Sequence, residues 1–273
     1  MAKRVLPGFT LTMGCSLLYL ACIVLLPLAA LVMKAASIDL NQFWAMVSGP
    51  RAVASYRVTV MAAFYATIFN AIFGLLMAWI LVRYDFPGRR LVDALMDLPF
   101  ALPTAVAGIA LTALFASNGW FGQLLTPLGI KVAYTPLGIS LAMAFTSIPF
   151  VVRSVQPVLE DMGHEMEQAA QSLGASDATI FRRIIFPLLF PAFLAGSSLA
   201  FARSLGEFGA VIFIAGNLPM KTEVTTLLAF IRLEEFDYPA VAAIATVMLL
   251  AAFLLLLVTN SIQAWHLRYT DRG

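Results

Sequence analysis

Long apolar runs separated by short polar segments organise this chain. Phe9 to Met33 is uncharged and ends at Lys34, and Val58 to Val82 is uncharged and ends at Arg83. Leu98 to Ala116 follows Asp93 and Asp97, and Pro136 to Val152 ends at Arg153. Leu188 to Ala215 is longer and carries Arg203 and Glu207, whereas Ala240 to Thr259 is again uncharged. Crossing a bilayer core of about 30 Å takes about 20 mostly apolar residues at about 1.5 Å each. The pattern therefore predicts six transmembrane helices in an all-α integral membrane protein. The first run follows Lys3 and Arg4, as a secretory signal would. A signal's apolar region spans only about 7–15 residues, so this longer run is kept as a helix.

Composition agrees with that pattern. Hydrophobic residues make up 61% of the 273 residues and charged residues 12%, against about 45–50% and about 25% in soluble domains. One aqueous core cannot hide so much apolar surface, so lipid must cover part of it. A net charge of +2 is too small and dispersed for nucleic-acid binding. Cys15 and Cys22 share a face of the first run and are expected to pack there, with no metal or disulfide role. His164 and His266 lack nearby ligand partners and are expected to be solvated. The spans hold no cluster of His, Asp or Ser at catalytic spacing, so no catalytic residues and no enzyme activity are expected. No phosphate-binding loop is present. The chain is expected to bind no cofactor, and if ATP is used, it is hydrolysed elsewhere.

Basic residues indicate orientation. With the N-terminus inside, Lys3, Arg4, Arg83, Arg89, Arg90, Arg153, Arg182, Arg183, Arg268 and Arg272 are cytoplasmic. Lys34, Arg51, Arg57, Lys131, Lys221 and Arg232 are outside. The bias places both termini in the cytoplasm. Residues 1–57 then form a first helix with an outside segment, 58–262 a core with the other five spans, and 263–273 a cytoplasmic tail.

The longest inside segment runs from Arg153 to Pro187, and its part from 157 to 187 carries the functional signal. Met166, Ala169, Ala170 and Leu173 follow the spacing of one helix face, with Glu165, Glu167, Gln168 and Gln171 around it. Gly174 supplies the left-handed turn that stops this helix. Ser176 or Asp177 can cap a second helix, with Arg182 and Arg183 in its last turn and Pro187 ending it before the fifth span. A small-residue face at the membrane surface suits entry into a groove on another protein better than a grip on lipid. Glu167-Gln168-Ala169-Ala170, then Gly174, Ile184 and Pro187, resemble the EAA loop of ABC importer permeases. In that family the loop is the coupling helix that docks on the ATPase. Two departures are visible: Gln168 stands where glutamate is usual, and Phe186 replaces the leucine before proline. Which of Glu167 and Gln168 makes the polar contact stays open.

The stretches Asp93 to Leu111 and Ser204 to Asn217 resemble sulfate/thiosulfate importer permeases, and Pro103-Thr104-Ala105 resembles the T-type subunit. Molybdate permeases share the Leu205 to Gly209 segment, so molybdate or tungstate stays an alternative cargo, as does gradient-driven secondary anion transport. The resemblance implies a type I ABC importer permease fold in a bacterial inner membrane. It also implies a W-type permease partner, two copies of an ATPase and a periplasmic sulfate/thiosulfate-binding protein. One chain offers one coupling loop, so it is expected to work as half of a pair.

Arg203 and Glu207 lie one turn apart in a span otherwise free of charge. Each would cost about 2.5–3.5 kcal/mol at the bilayer centre, so they are expected to face protein, water or each other. They are either a structural ion pair at a subunit interface or part of an anion pathway, with Gly206 and Gly209 permitting close backbone approach. Asp93 and Asp97, like charges at i and i+4, read as a solvated helix end.

Overall fold

The computed structural model describes the backbone of residues 9–270 and side chains from 9 to 263. The expected Lys3, Arg4, His266, Arg268 and Arg272 assignments lie outside the described side chains. The helices are α1 (Phe9–Ala36), α2 (Leu40–Ser48), α3 (Pro50–Arg83), α4 (Arg89–Met96), α5 (Leu98–Ala101), α6 (Thr104–Phe115) and α7 (Trp120–Leu125). They continue as α8 (Pro136–Asp161), α9 (Glu165–Ser172), α10 (Asp177–Leu205), α11 (Val211–Ile214), α12 (Thr225–Glu234) and α13 (Tyr238–Thr270). Six stretches among the described residues are long and apolar enough to cross a membrane: Phe9–Ala36, Pro50–Arg83, Thr104–Leu128, Pro136–Asp161, Asp177–Leu205 and Tyr238–Gln263. The chain is thus all-helical with six spans, as the apolar pattern predicts.

The bundle is built on α3, α8 and α10, which pack on one another, with α13 against α10 and α12. Lipid tails are as apolar as leucine, so helices in a membrane associate through close packing and interhelical hydrogen bonds. The buried face of α3 reflects this: Ala52, Ser55, Thr59, Ala62, Ala66, Asn70, Gly74 and Ala78 recur every three or four residues. A Cβ on Gly74 would sit 2.8 Å from Val151 Cβ, and one on Gly196 would sit 2.8 Å from the Phe150 carbonyl oxygen. Where the three helices cross, the Asn70 amide donates to Ala144 O at 3.0 Å and Ser147 Oγ at 2.8 Å. Ser204 Oγ donates to Ser147 Oγ at 3.1 Å. One apolar cluster, with Ala62, Met143, Leu205 and Ile214, lies to one side of this waist; another, with Leu81, Val155, Leu159 and Ile185, lies to the other.

Several expectations need correction. Pro187 does not end a helix: α10 runs unbroken from Asp177 to Leu205 through a π turn at Phe181–Ile185. Proline has no N–H to give the preceding turn, and widening that turn relieves its ring clash. The Phe186 N–H bonds back to Phe181 O. The same device precedes Pro27, where α1 widens at Ala21–Leu25. The fifth span ends at Leu205 rather than Ala215, because residues 206–208 leave the helix. The third apolar run is likewise split, with Leu102 and Pro103 separating α5 from α6. The second span starts earlier than Val58, at Pro50.

Asp93 and Asp97 are not merely a solvated helix end. Arg153 on α8 grips Asp97 with two bonds of 2.8 and 2.6 Å and Asp93 Oδ1 with one of 2.7 Å. It also donates to Asp93 O at 2.9 Å. This clamp fixes the α4–α5 elbow to the bundle. Its partner lies 56 to 60 residues away, beyond any helical spacing. Cys15 and Cys22 are both exposed rather than packed, because the part of α1 that packs on α13 is its later half, Leu26–Ala36.

The Asn70 network makes a prediction. Interhelical hydrogen bonds in membranes are worth about 0.6 kcal/mol on average and about 1.7 at most. Asn70→Leu is expected to cost about 1 kcal/mol, lowering the unfolding midpoint of the purified complex by about 2–4 °C. A thermal-unfolding curve that does not move would show that the waist is held by packing alone.

Candidate functional site

Two regions carry the residues singled out from sequence, one at the loop between α8 and α10 and one where α10 breaks. In the loop, α9 ends in the left-handed turn that its glycine predicts, with Gly174 at φ +82°. The Ala175 N–H reaches back to Ala170 O at 3.1 Å and the Gly174 N–H to Gln171 O at 2.9 Å, satisfying carbonyls the helix end would leave bare. Nothing lies within 4 Å of a Cβ built on Gly174, so only its backbone conformation requires glycine. Ser176 does precede α10, but its hydroxyl pairs with Thr179 Oγ1 at 2.9 Å rather than with the helix backbone.

The predicted apolar face of α9 divides. Ala170 packs against the cluster containing Leu81 and Ile185, as does Ile184, while Pro187 is exposed. Ala169 is exposed, Met166 is 42% exposed and Leu173 is 90% exposed. A leucine so fully presented at a loop tip does nothing for the stability of its own chain.

Glu167 and Gln168 point differently. Arg83, at the end of α3, donates to Glu167 Oε1 at 2.5 Å, and the two side chains are only 6% and 19% exposed. The Arg83 guanidinium also lies 5.6 Å from the Trp79 ring centroid, a favourable cation–π arrangement. Gln168 is exposed. Glu167 therefore ties α9 to its own chain, leaving Gln168 as the outward polar group. His164 is not simply solvated: its Nδ1 lies 3.4 Å from an Arg83 nitrogen and 3.9 Å from Glu167. Arg83 appears in the sequence only as a loop-edge charge, and nothing in local spacing links it to Glu167.

In the second region, Arg203 and Glu207 do meet. Arg203 comes within 2.6 Å of Glu207 Oε2, although without the alignment of a hydrogen bond. Glu207 is 1% exposed and Arg203 34%. The buried carboxylate has further duties: Oε1 accepts from the Ala210 N–H at 2.9 Å, just ahead of α11, and Glu207 O accepts from Thr226 Oγ1 at 2.9 Å. Backbone that leaves a helix at membrane depth persists only where protein satisfies it, and Glu207 does so here. The two glycines differ. A Cβ on Gly209 would collide with Thr104 at the start of α6, whereas one on Gly206 would meet only Arg203 O at 4.0 Å. Close approach is thus a property of Gly209.

This geometry yields two expectations. Gly209→Ala should sharply reduce the yield of folded complex, while Gly206→Ala should stay within about 0.5 kcal/mol of the parent, both read from co-purification and thermal unfolding; equal effects would refute the assigned contact. Arg203→Gln leaves a buried carboxylate unpaired and should reduce assembly. Adding Glu207→Gln removes that charge while keeping a carbonyl for Ala210, so the double variant should assemble normally. Its transport then separates the two roles of Arg203, since full recovery of uptake excludes a direct pull on the transported anion.

Solved structures of the same shape are ABC transporters. The chain superposes with a TM-score of 0.76 on a chain of a bacterial alginate ABC transporter in complex with alginate pentasaccharide-bound periplasmic protein, at 14% identity over 93% of both chains. It superposes at 0.62 on the MetNI methionine ABC transporter in an inward-facing conformation, at 13% identity over 84% of this chain and 99% of that one. At such identities the likeness shows the fold. In sequence, the chain is 62% identical to the sulfate transport system permease protein CysT of Salmonella typhimurium, over 96% of this chain and 95% of that protein. It is 46% identical to the Synechocystis protein of that name, over 94% and 90%. Residues 70–271 match the family described as binding-protein-dependent transport system inner membrane component. With its six apolar helices, the chain is a multi-pass inner-membrane protein and belongs to that family.

Proposed function

We propose that this chain is the T-type permease of an ATP-driven sulfate importer, forming half of the translocation pathway and receiving the ATPase stroke through α9. The observation that carries this reading is the presentation of α9: Leu173 is 90% exposed at its tip while Arg83 and Glu167 hold its base to α3. An exposed apolar tip on a charge-fastened base suits a helix that enters another protein's groove and passes force to its own bundle. Met166, Ala169 and Leu173 would enter the groove, with Gln168 making the polar contact. Motion of α9 would reach α3 through the Arg83 pair and α10 through the Gly174 turn. The near full-length similarity to proteins named as sulfate permeases supports sulfate as the cargo, and thiosulfate, of like charge and shape, as a second.

The partners follow from that reading. A second, W-type permease would complete the pathway, two ATPase copies would bind ATP and magnesium and receive one coupling helix from each permease, and a periplasmic binding protein would deliver the anion. The short loop Arg83 to Arg90, with three arginines, and the α9 loop lie in the cytoplasm in this arrangement, together with both termini.

Cells lacking the chain should lose labelled sulfate uptake and regain it on complementation, whereas loss of molybdate uptake alone would move the assignment to that anion. Gly174→Val forces a β-branched residue into positive φ, where it is a poor fit. It should abolish uptake and the stimulation of ATPase activity by loaded binding protein. Stimulation that persists unchanged would show that α9 is not the coupling element.

A further inference from the structure

We propose that the cleft between α3, the start of α8 and the loop after α11 is a binding site for a tetrahedral oxyanion. The cleft encloses about 550 Å³, and Arg57 and Lys221 line it together with Tyr65 and Ser140. It lies at the end of the bundle opposite the α9 loop: residues 57 and 83 of α3 are separated by 26 positions, about 39 Å at about 1.5 Å per residue. In the proposed orientation this is the outer mouth.

Charge is the first observation. Both cations are exposed, and among the described residues neither has a carboxylate within ion-pair distance. No Asp or Glu lines the cleft. The acid nearest to Lys221 in sequence, Glu223, is 1% exposed, and both its oxygens are engaged by Arg51 at 2.8 and 2.6 Å. Arg232, also predicted for the outer side, is paired with Glu235 at 2.8 Å. Two positive charges thus stand uncompensated in a concavity whose other walls, such as Met61 and Met220, are apolar. Low-dielectric walls concentrate such a field and raise the local anion concentration.

The second observation is that the loop presenting Lys221 is held in one shape. Gly216, Asn217 and Met220 all have positive φ, at +73°, +53° and +66°, which for Asn and especially Met is a costly conformation. Many contacts enforce it. The N–H groups of Lys221, Thr222 and Glu223 all converge on Leu218 O at 3.1, 2.9 and 3.1 Å, and Leu218 N–H donates to Thr222 Oγ1 at 3.0 Å. Asn217 Nδ2 donates to Ile212 O at 2.9 Å. The Arg51–Glu223 pair then staples the loop to α3, the helix that carries Arg57. Strain in a loop so fully pinned fixes the Lys221 Cα relative to Arg57, and a fork-shaped guanidinium with a nearby ammonium suits an oxyanion.

Free sulfate and a lipid phosphate share this chemistry. That sulfate is the natural ligand rests on the proposed function, so the test separates the two. The complete transporter, in phosphatidylcholine nanodiscs without binding protein, would be assayed for labelled sulfate binding by equilibrium dialysis. Variants would be Arg57→Gln with Lys221→Gln, and the charge-keeping Arg57→Lys with Lys221→Arg. Neither residue has an ion pair to lose, and co-purification of the other subunits verifies assembly. Loss of one charge-assisted hydrogen bond is worth about tenfold, so the neutral pair should bind sulfate at least about tenfold more weakly, with the charge-keeping pair near the parent. If the neutral pair instead loses co-purified phosphatidylglycerol from native membranes, the oxyanion site stands with lipid as its source. Unchanged sulfate binding and unchanged lipid would overturn the site, even where sulfate uptake by the whole system is normal. Sulfate bound in the cleft by a transporter that imports none would overturn the proposed cargo and leave the site intact.

Discussion

A chain that crosses hydrocarbon cannot leave a peptide group unpaired, because no water is there to take it. Each place where this protein departs from a straight helix shows how that constraint is met. At Pro27 and Pro187 the preceding turn widens to a π turn, so that the Leu26 and Phe186 N–H groups bond five residues back and the helices continue. Between α10 and α11 the helix truly breaks, and there a buried carboxylate takes over: Glu207 accepts the Ala210 N–H and offers its own carbonyl to Thr226. That break in turn lets α11 fold back on α6, with Gly209 and Gly108 giving the room.

Buried and half-buried charges are handled by the same rule. Arg203 partners the carboxylate that seals the break, Arg153 fastens the α4–α5 elbow, and Arg51 buries Glu223. Each removes an uncompensated charge and also joins two segments distant in sequence or closes a local gap. Arg57 on α3 and Lys221 on the pinned 216–223 loop have no such partner among the described residues, and what sets them apart is that they share one concavity without an acid in its lining.

Helix α3 connects the two ends. Its N-terminal part carries Arg57 and the staple to Glu223, its middle holds Asn70 at the crossing with α8 and α10, and its C-terminal end carries Arg83 against Glu167. A single helix in contact with the α9 loop at one end and the cleft at the other links the two ends of the bundle. The small residues along its buried face keep it close to α8.

The apolar runs sufficed to show six spans, because length and hydrophobicity are local quantities and lipid imposes them span by span. The loop motif was equally legible: the alanine pair, the Gly174 turn and the helix before it depend on neighbours within one or two turns, and the turn forms as the sequence requires. What sequence could not supply was the partner of each charge. Asp93 and Asp97 read as a solvated end because Arg153 lies on another helix, and Glu167 and Gln168 could not be told apart until Arg83 was found beneath one of them. Likewise, equal glycines at 206 and 209 became unequal only when α6 was seen against one. Local pattern determined that six spans exist and that α9 ends in the Gly174 turn; the packing of α3, α8 and α10, which brings residues far apart in the chain within hydrogen-bond reach, decided where helices break and which polar groups are engaged inside the protein and which stay exposed.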